Sequence, residues 1–377
     1  MDFDFTDDQE SLRDAVRRWV DKGFGFERRH AIAKAGGATR AVYAELAELG
    51  LTGLVVPEAH GGMGFGAIEA MVISEELGRG LVNAPYTHGA LVAPVLLSAA
   101  PAALQAAWLP KIADASALVV LAHQERAARY RLNHVRTRAT DNGNGDGWVL
   151  SGAKSIVPAG DEADAYIVPA RVSGTDDDAA GVGLFLVERG AAQVRGSPTQ
   201  DGSRVAEVSF DKAPAALIAE DGHAMLEHAV DAGIAAQCAE AVGVMDRLVA
   251  ITVEYMNTRK QFGVAIASFQ ALRHRIADVK MQLELGRSMS YYACLKLGEP
   301  EAQRRRALSQ ARVHLGHSMR FVGQQCVQLH GGIGVTDEYI ASHYFKRLTM
   351  LEMSFGDTQH HLGEVSARMQ ATAGVFA

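Results

Sequence analysis

Apolar positions along this chain change rhythm twice. After Thr6, whose spacing to Gln9 is that of a capping box, Leu12, Val16, Trp19 and Val20 recur at helical intervals. "AVYAELAELG" runs to a closing glycine, and "EAMVISEELGRG" repeats that form, so residues 1 to about 115 read as mostly helical. Between these two lies "VVPEAHGGMGFG", which reads as a mobile glycine-rich loop. Near residue 116 the period shortens. "ALVVLAHQ", "GWVLSGAKSIV", "DAYIVPARV", "VGLFLVERG" and "RVAEVSF" are short β-rich runs, and "DNGNGDG" is a hairpin signal between two of them. No helical period separates the runs, which predicts a small antiparallel sheet or barrel rather than βαβ units. From about 222 the helical period returns in a long Ala-rich stretch without proline, where Gly233, Ala236, Ala239 and Gly243 permit close helix packing. Two further helices, the loop "QLHGGIGVTDEY" and a last helix through "YFKRLTMLEM" follow.

Bulk composition narrows the classes. The 377 residues are 48% hydrophobic and 21% charged, as in a soluble globular protein of two or three domains. A net charge of −7 gives no global basic field for nucleic acid or an anionic membrane. Cys238, Cys294 and Cys326 are too few and too scattered for a disulfide framework, so reduced buried thiols are expected. The acidic "MDFDFTDDQE" start lacks an apolar signal region and no apolar run approaches membrane-spanning length, so the expected location is the cytoplasm.

Several motifs are weak. His314 and His317 in "HLGH" have helical spacing but lack the company of a zinc motif, so no metal is expected. "GGMGFG" lacks the βαβ context of a dinucleotide fingerprint. No GxSxG or P-loop is present, which argues against the common hydrolases and NTPases. Arg126, Arg129, Arg131, Arg136 and Arg138 crowd one loop and strand. They fit a polyanionic ligand such as coenzyme A, with Arg129 and Arg131 as phosphate candidates, and equally a solvated, ion-paired strand face.

Two stretches are far more specific: "YMNTRKQFGVAIASFQ", Tyr255 to Gln270, and "QLHGGIGVTDEY", Gln328 to Tyr339. In this order, behind a β-rich middle, they resemble the acyl-CoA dehydrogenase family, and the resemblance covers essentially the whole chain. "RYRLNH", Arg259–Gly263 and "HYFKRLTM" are most similar to small subunits of bacterial pimeloyl-CoA dehydrogenases. The resemblance implies an α+β fold. It comprises an N-terminal α-helical domain at 1–115, a central antiparallel β domain at 116–221 and a C-terminal four-helix bundle at 222–377. It implies FAD as cofactor, an acyl-CoA substrate, electron-transfer flavoprotein as acceptor and a homo- or hetero-tetramer. By motif position, Arg259, Gln261 and Phe262 of "RxxFG", the following Phe269 and Gln270, and Gln328, Leu329, His330, Gly331 and Gly332 would meet the nucleotide half of a neighbour's FAD, with Asp357 and Gln359 also at the cofactor. A guanidinium can fork onto a pyrophosphate, Phe can cover a ring edge, and glycine lets backbone N–H groups approach closely.

The departures from the family are as informative. Its chemistry abstracts an α-proton with a glutamate while hydride passes from the β-carbon to the flavin. A gap-free alignment from Gln328 sets Phe355 at that glutamate's position, and the alternative position on the preceding long helix is Gly233. Asp357 and Glu240 are the weak substitutes. The family's "TEPGAGSD" loop reads "QERAARYR", Gln124 to Arg131, and its "WITN" reads "IVPA", Ile156 to Ala159. The expectation is therefore a subunit that keeps the FAD half it lends to a neighbour while lacking the usual base, paired with a larger subunit. The alternatives are a self-sufficient homotetramer using Asp357 or Glu240, a flavin-free scaffolding subunit, or a flavin oxidase of the same fold.

Overall fold

A computed structural model describes residues 5–143 and 147–369 and divides the chain into two compact units. The first unit comprises Met1–Ala31, Ala67–Val82 and Ile234–Ala377, and the second Ile32–Gly66 and Asn83–Gly233. Helix α2 (Phe26–Lys34) and the long α7 (His223–Thr258) each run through a boundary between them.

The second unit is built on seven strands: β1 (Val119–Leu121), β2 (Arg138–Asp141), β3 (Trp148–Pro158), β4 (Ala165–Arg171), β5 (Val182–Glu188), β6 (Gln193–Pro198) and β7 (Arg204–Ala219). Pairings run β4–β2–β3–β7–β5 and return to β4, closing a barrel-like ring, with β1 beside β4 and β6 beside β7. Closure leaves few bare edges for unwanted pairing. Most pairs are antiparallel as expected, but β1 lies parallel to β4, and β2 meets β4 through one parallel bridge. β2 and β6 had no apolar run to announce them, because both are largely exposed. The "DNGNGDG" segment joins antiparallel β2 and β3, with Asp141 opposite Trp148; its residues 144–146 lie outside the described residues. The helices of this unit are α3 (Arg40–Glu48), α5 (Ala93–Leu97) and α6 (Ala102–Ala113). Glu162 accepts hydrogen bonds from the Thr39 and Arg40 amides, both 2.8 Å, and so caps α3 from the β3–β4 connection. The glycine loop at 61–66 is pinned rather than mobile. The amides of Met63, Gly64 and Phe65 bond the Gly53, Val56 and Leu54 carbonyls at 2.8–2.9 Å.

The first unit is helical: α1 (Asp7–Gly23), α4 (Ala67–Arg79), the later part of α7, α8 (Gln270–Lys296), α9 (Glu301–His330), α10 (Ile340–Met353) and α11 (Thr358–Met369). The Thr6–Gln9 capping box starts α1 with both reciprocal hydrogen bonds present. α9 packs against α8, α10 and α11, so α11 adds a fifth helix to the expected four. Within the helical unit, Ala239 and Gly243 of the α7 stripe lie at a close crossing with α4. A Cβ on Gly243 would lie 1.8 Å from the Glu75 carbonyl oxygen, and one on Gly78 would lie 2.2 Å from that of Glu240. Cys238, Cys294 and Cys326 are free and buried, and burial pushes their thiols up to about 11, 12 and 11. Among the described residues no helix is long and apolar enough to cross a membrane.

Candidate functional site

In the helical unit α7 ends at Thr258 and the chain enters a two-stranded hairpin, β8 (Lys260–Gln261) paired with β9 (Val264–Ala265). Its two corner residues, Phe262 and Gly263, have φ of 54° and 83°, the signs a type I′ turn requires. Glycine takes this conformation without strain, whereas a bulky Phe does so at a cost. That strained Phe262 is 91% exposed and touches its neighbour Phe269 edge-on, with ring centroids 6.1 Å apart. Arg259, Gln261 and Gln270 are exposed around it, and among the described residues the Arg259 guanidinium has no carboxylate partner.

The structure brings the second motif to the base of this hairpin. Leu329 packs with Met256 and Ile266 in one buried cluster, flanked by Tyr255, Ala267, Leu272 and Ile276. The His330 ring lies 4.7 Å from that of Tyr255 and 5.2 Å from that of Tyr339. Its Nδ1–H donates to the Cys326 carbonyl at 2.8 Å, and burial holds its pKa below the usual histidine value. Gly331 ends α9 at φ 66°, ψ −143°, a combination that only glycine adopts readily. Neither Gly331 nor Gly332 has anything within 4 Å of where a Cβ would stand, so their backbone lies open to an approaching ligand. Gln328 is exposed beside them, as are Ile333 and Val335 on the 3-10 turn that follows.

The remaining predicted residues are not part of that cluster. Asp357 and Gln359 lie beyond the far end of α10, a helix about 20 Å long. Asp357 Oδ1 accepts the His360 amide at 2.8 Å and so caps α11, while Gln359 is exposed on that helix's first turn. Glu240 is buried against the Arg347 guanidinium, with Nε 2.6 Å from Oε1. Phe355 is buried at φ 54°, in a turn fixed by Arg312 and His361. Buried Arg312 directs Nη2 at the carbonyls of Leu351, Ser354 and Gly356, at 2.5, 2.8 and 3.2 Å. A cation at these orphan carbonyls suits the negative end of α10. His361 Nε2–H donates to the Phe355 carbonyl at 3.1 Å. Burial, then the nearby Arg312 and His360, hold His361 well below the usual histidine range, so it is neutral.

In the barrel unit, Glu125 of the "QERAARYR" loop is a buried hub. It accepts Lys154 Nζ at 2.7 Å, the Thr137 amide and hydroxyl at 3.1 and 2.8 Å, and the Arg136 amide at 2.9 Å. Burial alone would raise this carboxyl, but Lys154 and the amides hold it below its usual range. Lys154 was visible in principle: Leu150, Gly152 and Lys154 share one face of β3, so the alternation sets a cation inward. Beside them His123 is pushed down to about 4, first by burial and then by Lys154. Past Lys154 the β3–β7 register shifts, and Ile156 stands there at φ 53°, half exposed. A β-branched residue in that conformation marks a strained bulge. The arginine-rich stretch resolves as an ion-paired strand face. Arg131 meets Asp177 at 2.9 Å, Arg136 and Arg138 share Asp176, and Arg126 faces Glu207 at 3.6 Å. Arg129 lies over the Tyr130 ring, 5.9 Å from its centroid.

Three family models match the chain in order. "Acyl-CoA dehydrogenase, N-terminal domain" covers residues 6–116, the middle domain 121–213 and the C-terminal domain 220–370. The (2S)-methylsuccinyl-CoA dehydrogenase of Cereibacter sphaeroides is 25% identical over 390 residues, 96% of this chain and 69% of that protein. The mitochondrial long-chain specific acyl-CoA dehydrogenase of Sus scrofa is 27% identical over 97% of this chain and 86% of that one. Among solved structures, the "Tcur3481-Tcur3483 steroid ACAD G363A variant" superposes with a TM-score of 0.87 at 27% identity, covering 97% of this chain and 99% of that one.

Proposed function

The chain belongs to the acyl-CoA dehydrogenase family, and from that premise we propose that it works in the cytoplasm as the small subunit of a hetero-oligomeric enzyme. The reaction is α,β-dehydrogenation of an acyl-CoA thioester, with electron-transfer flavoprotein as acceptor. This subunit grips the nucleotide half of an FAD shared with a larger subunit, which supplies the catalytic carboxylate. When bound, FAD supplies the two-electron acceptor.

The observation that carries the reading is an asymmetry within the helical unit. The hairpin and the glycine turn are joined by one buried cluster and present an exposed Arg259 with no carboxylate partner among the described residues, an exposed Phe262 and two open glycines. These fit the cofactor chemically: the Arg259 fork suits a diphosphate, Phe262 an adenine edge, and the Gly331–Gly332 backbone a close approach. The carboxylates that could take a proton are otherwise engaged. Glu240 is paired with Arg347, Asp357 caps α11, and the position of the usual base holds the apolar ring of Phe355. The two-component name of the steroid enzyme supports a mixed assembly. "RYRLNH" and "HYFKRLTM" favour a small subunit of the pimeloyl-CoA dehydrogenase kind.

The test is to purify the chain alone and co-expressed with a larger family member, then compare flavin content and anaerobic bleaching by acyl-CoA. The co-expressed pair should hold flavin and turn over, and Arg259→Ala in the pair should lose flavin. Full flavin and turnover in the lone chain would overturn the reading.

A further inference from the structure

Beyond the glycine turn, the chain passes Asp337 before α10 begins, and side chains from two helices converge on that residue. Lys346 Nζ of α10 lies 2.9 Å from Asp337 Oδ1. His343 Nε2–H, also of α10, donates to the Asp337 carbonyl at 2.9 Å and stands 3.5 Å from Oδ1. His30 of α2 faces Oδ2 at 3.9 Å. Arg29 of α2, itself buried, donates from Nη1 to His343 Nδ1 at 2.7 Å. Phe26 stacks on His30 and meets His343 edge-on, closing the cluster.

His30, Asp337 and His343 have the spacing of a metal site. Their bonds speak against one: both His343 nitrogens are engaged, and Arg29 and Lys346 add two cations to the cluster. What the geometry does provide is an anchor. The turn from Gly331 to Val335 is held at its first end by the Tyr255–His330–Tyr339 ring contacts and at its last end by the Asp337 hub. Thr336 closes the arch, its amide and hydroxyl bonding the Ile333 carbonyl at 3.2 and 3.0 Å.

We infer that Asp337 is a positioning residue, which fixes the open Gly331–Gly332 backbone in a ligand-ready shape by tying the turn's far end to α2 and α10. Its effect on cofactor retention rests on the FAD reading above; its effect on the turn does not. The Asp337 side chain is 56% exposed, so deleting its charge should disturb global stability little.

The experiment uses the flavin-loaded pair and, separately, the chain alone. Hydrogen exchange of the 328–339 segment should speed up at least about fivefold in Asp337→Asn, a change that loss of a weak, partly exposed ion-pair hub can produce. In the pair, flavin release should accelerate by a similar factor, with the urea midpoint unchanged and Asp337→Glu restoring most of the difference. Unchanged exchange in the segment overturns the inference. So does a general rise in exchange with a falling urea midpoint, which would make Asp337 an ordinary stability residue. If the wild-type pair carries no flavin, the FAD reading fails, and exchange in the lone chain still decides the role of Asp337.

Discussion

Replacing Gly243 by alanine adds one methyl group and tests the packing on which the helical unit depends. In isolation the change favours a helix by about 1 kcal/mol, since glycine is the poorer helix former. Here the added Cβ would stand 1.8 Å from the Glu75 carbonyl oxygen and 2.8 Å from the Arg79 amide nitrogen. Ordinary contact begins near 3.4 Å, so α7 and α4 must part by about 1.6 Å (3.4 − 1.8) at their crossing. Both obstacles are backbone atoms, and neither can rotate away. Parting the helices also loosens Met71 and Ala239, which meet across the same pair in a cluster with Cys294. Overpacking of this kind costs about 1–3 kcal/mol and lost burial adds to it, so a net loss of about 2 kcal/mol is expected after the propensity gain. Gly286 on α8 is the control. A Cβ there would press most closely on Leu315 Cδ2 and Met245 Cε, both at 3.2 Å and both the ends of flexible side chains, with Ser318 Cβ at an ordinary 3.8 Å. Gly286→Ala should therefore be neutral or slightly stabilising. Urea unfolding followed by circular dichroism reads the contrast as a midpoint difference of about 1 M for an m-value near 2 kcal/mol/M. A Gly243→Ala protein that unfolds at or above the Gly286→Ala midpoint would refute the reasoning.

Other expectations follow from the same geometry. His123 is held at about 4 against 6.5 when unfolded, so below pH 6.5 the unfolded chain takes up a proton that the folded chain refuses. Stability from this group is complete above pH 6.5 and declines by about 3 kcal/mol as pH falls to 4; urea midpoints across that window should fall less steeply in His123→Asn. Lys154→Met should cost about 3 kcal/mol or more by stranding the buried Glu125 carboxylate, and adding Glu125→Gln should restore part of it. A double-mutant cycle showing strictly additive losses would contradict that pairing. Phe262→Ser should leave the unfolding midpoint of the lone chain unchanged, because the ring is 91% exposed, yet weaken co-purification with a larger subunit. Equal recovery of the pair would count against the hairpin as a contact.

The order of helical, β and helical regions was legible because it rests on periodicity, which burial of one face imposes directly. The Thr6–Gln9 box shows the same legibility at the scale of a single turn. β6 was illegible because its residues are at most half-buried, and β2 was announced only by its crowd of arginines and not by an apolar run. The parallel course of β1 beside β4 is a long-range choice that no local window contains. At the candidate site the two motifs could be read as strings, but their meeting through Met256, Ile266 and Leu329 is tertiary. Asp357 and Glu240 looked available in the sequence because a carboxylate's partner is invisible there; one caps a helix and the other faces Arg347. Arg312 gave no signal at all, since its four-carbonyl role depends on a turn more than thirty residues downstream.

The Phe262 corner has a consequence for the economy of the cell that makes this chain. Phe262 on its strained tip, with Val264 and Phe269 also exposed beside it, is apolar surface on which unshielded copies of the chain would stick indiscriminately. On the two-subunit reading proposed above, surplus copies made without the larger subunit should therefore clump or be cleared, and selection should couple the synthesis of the two polypeptides at matched dose.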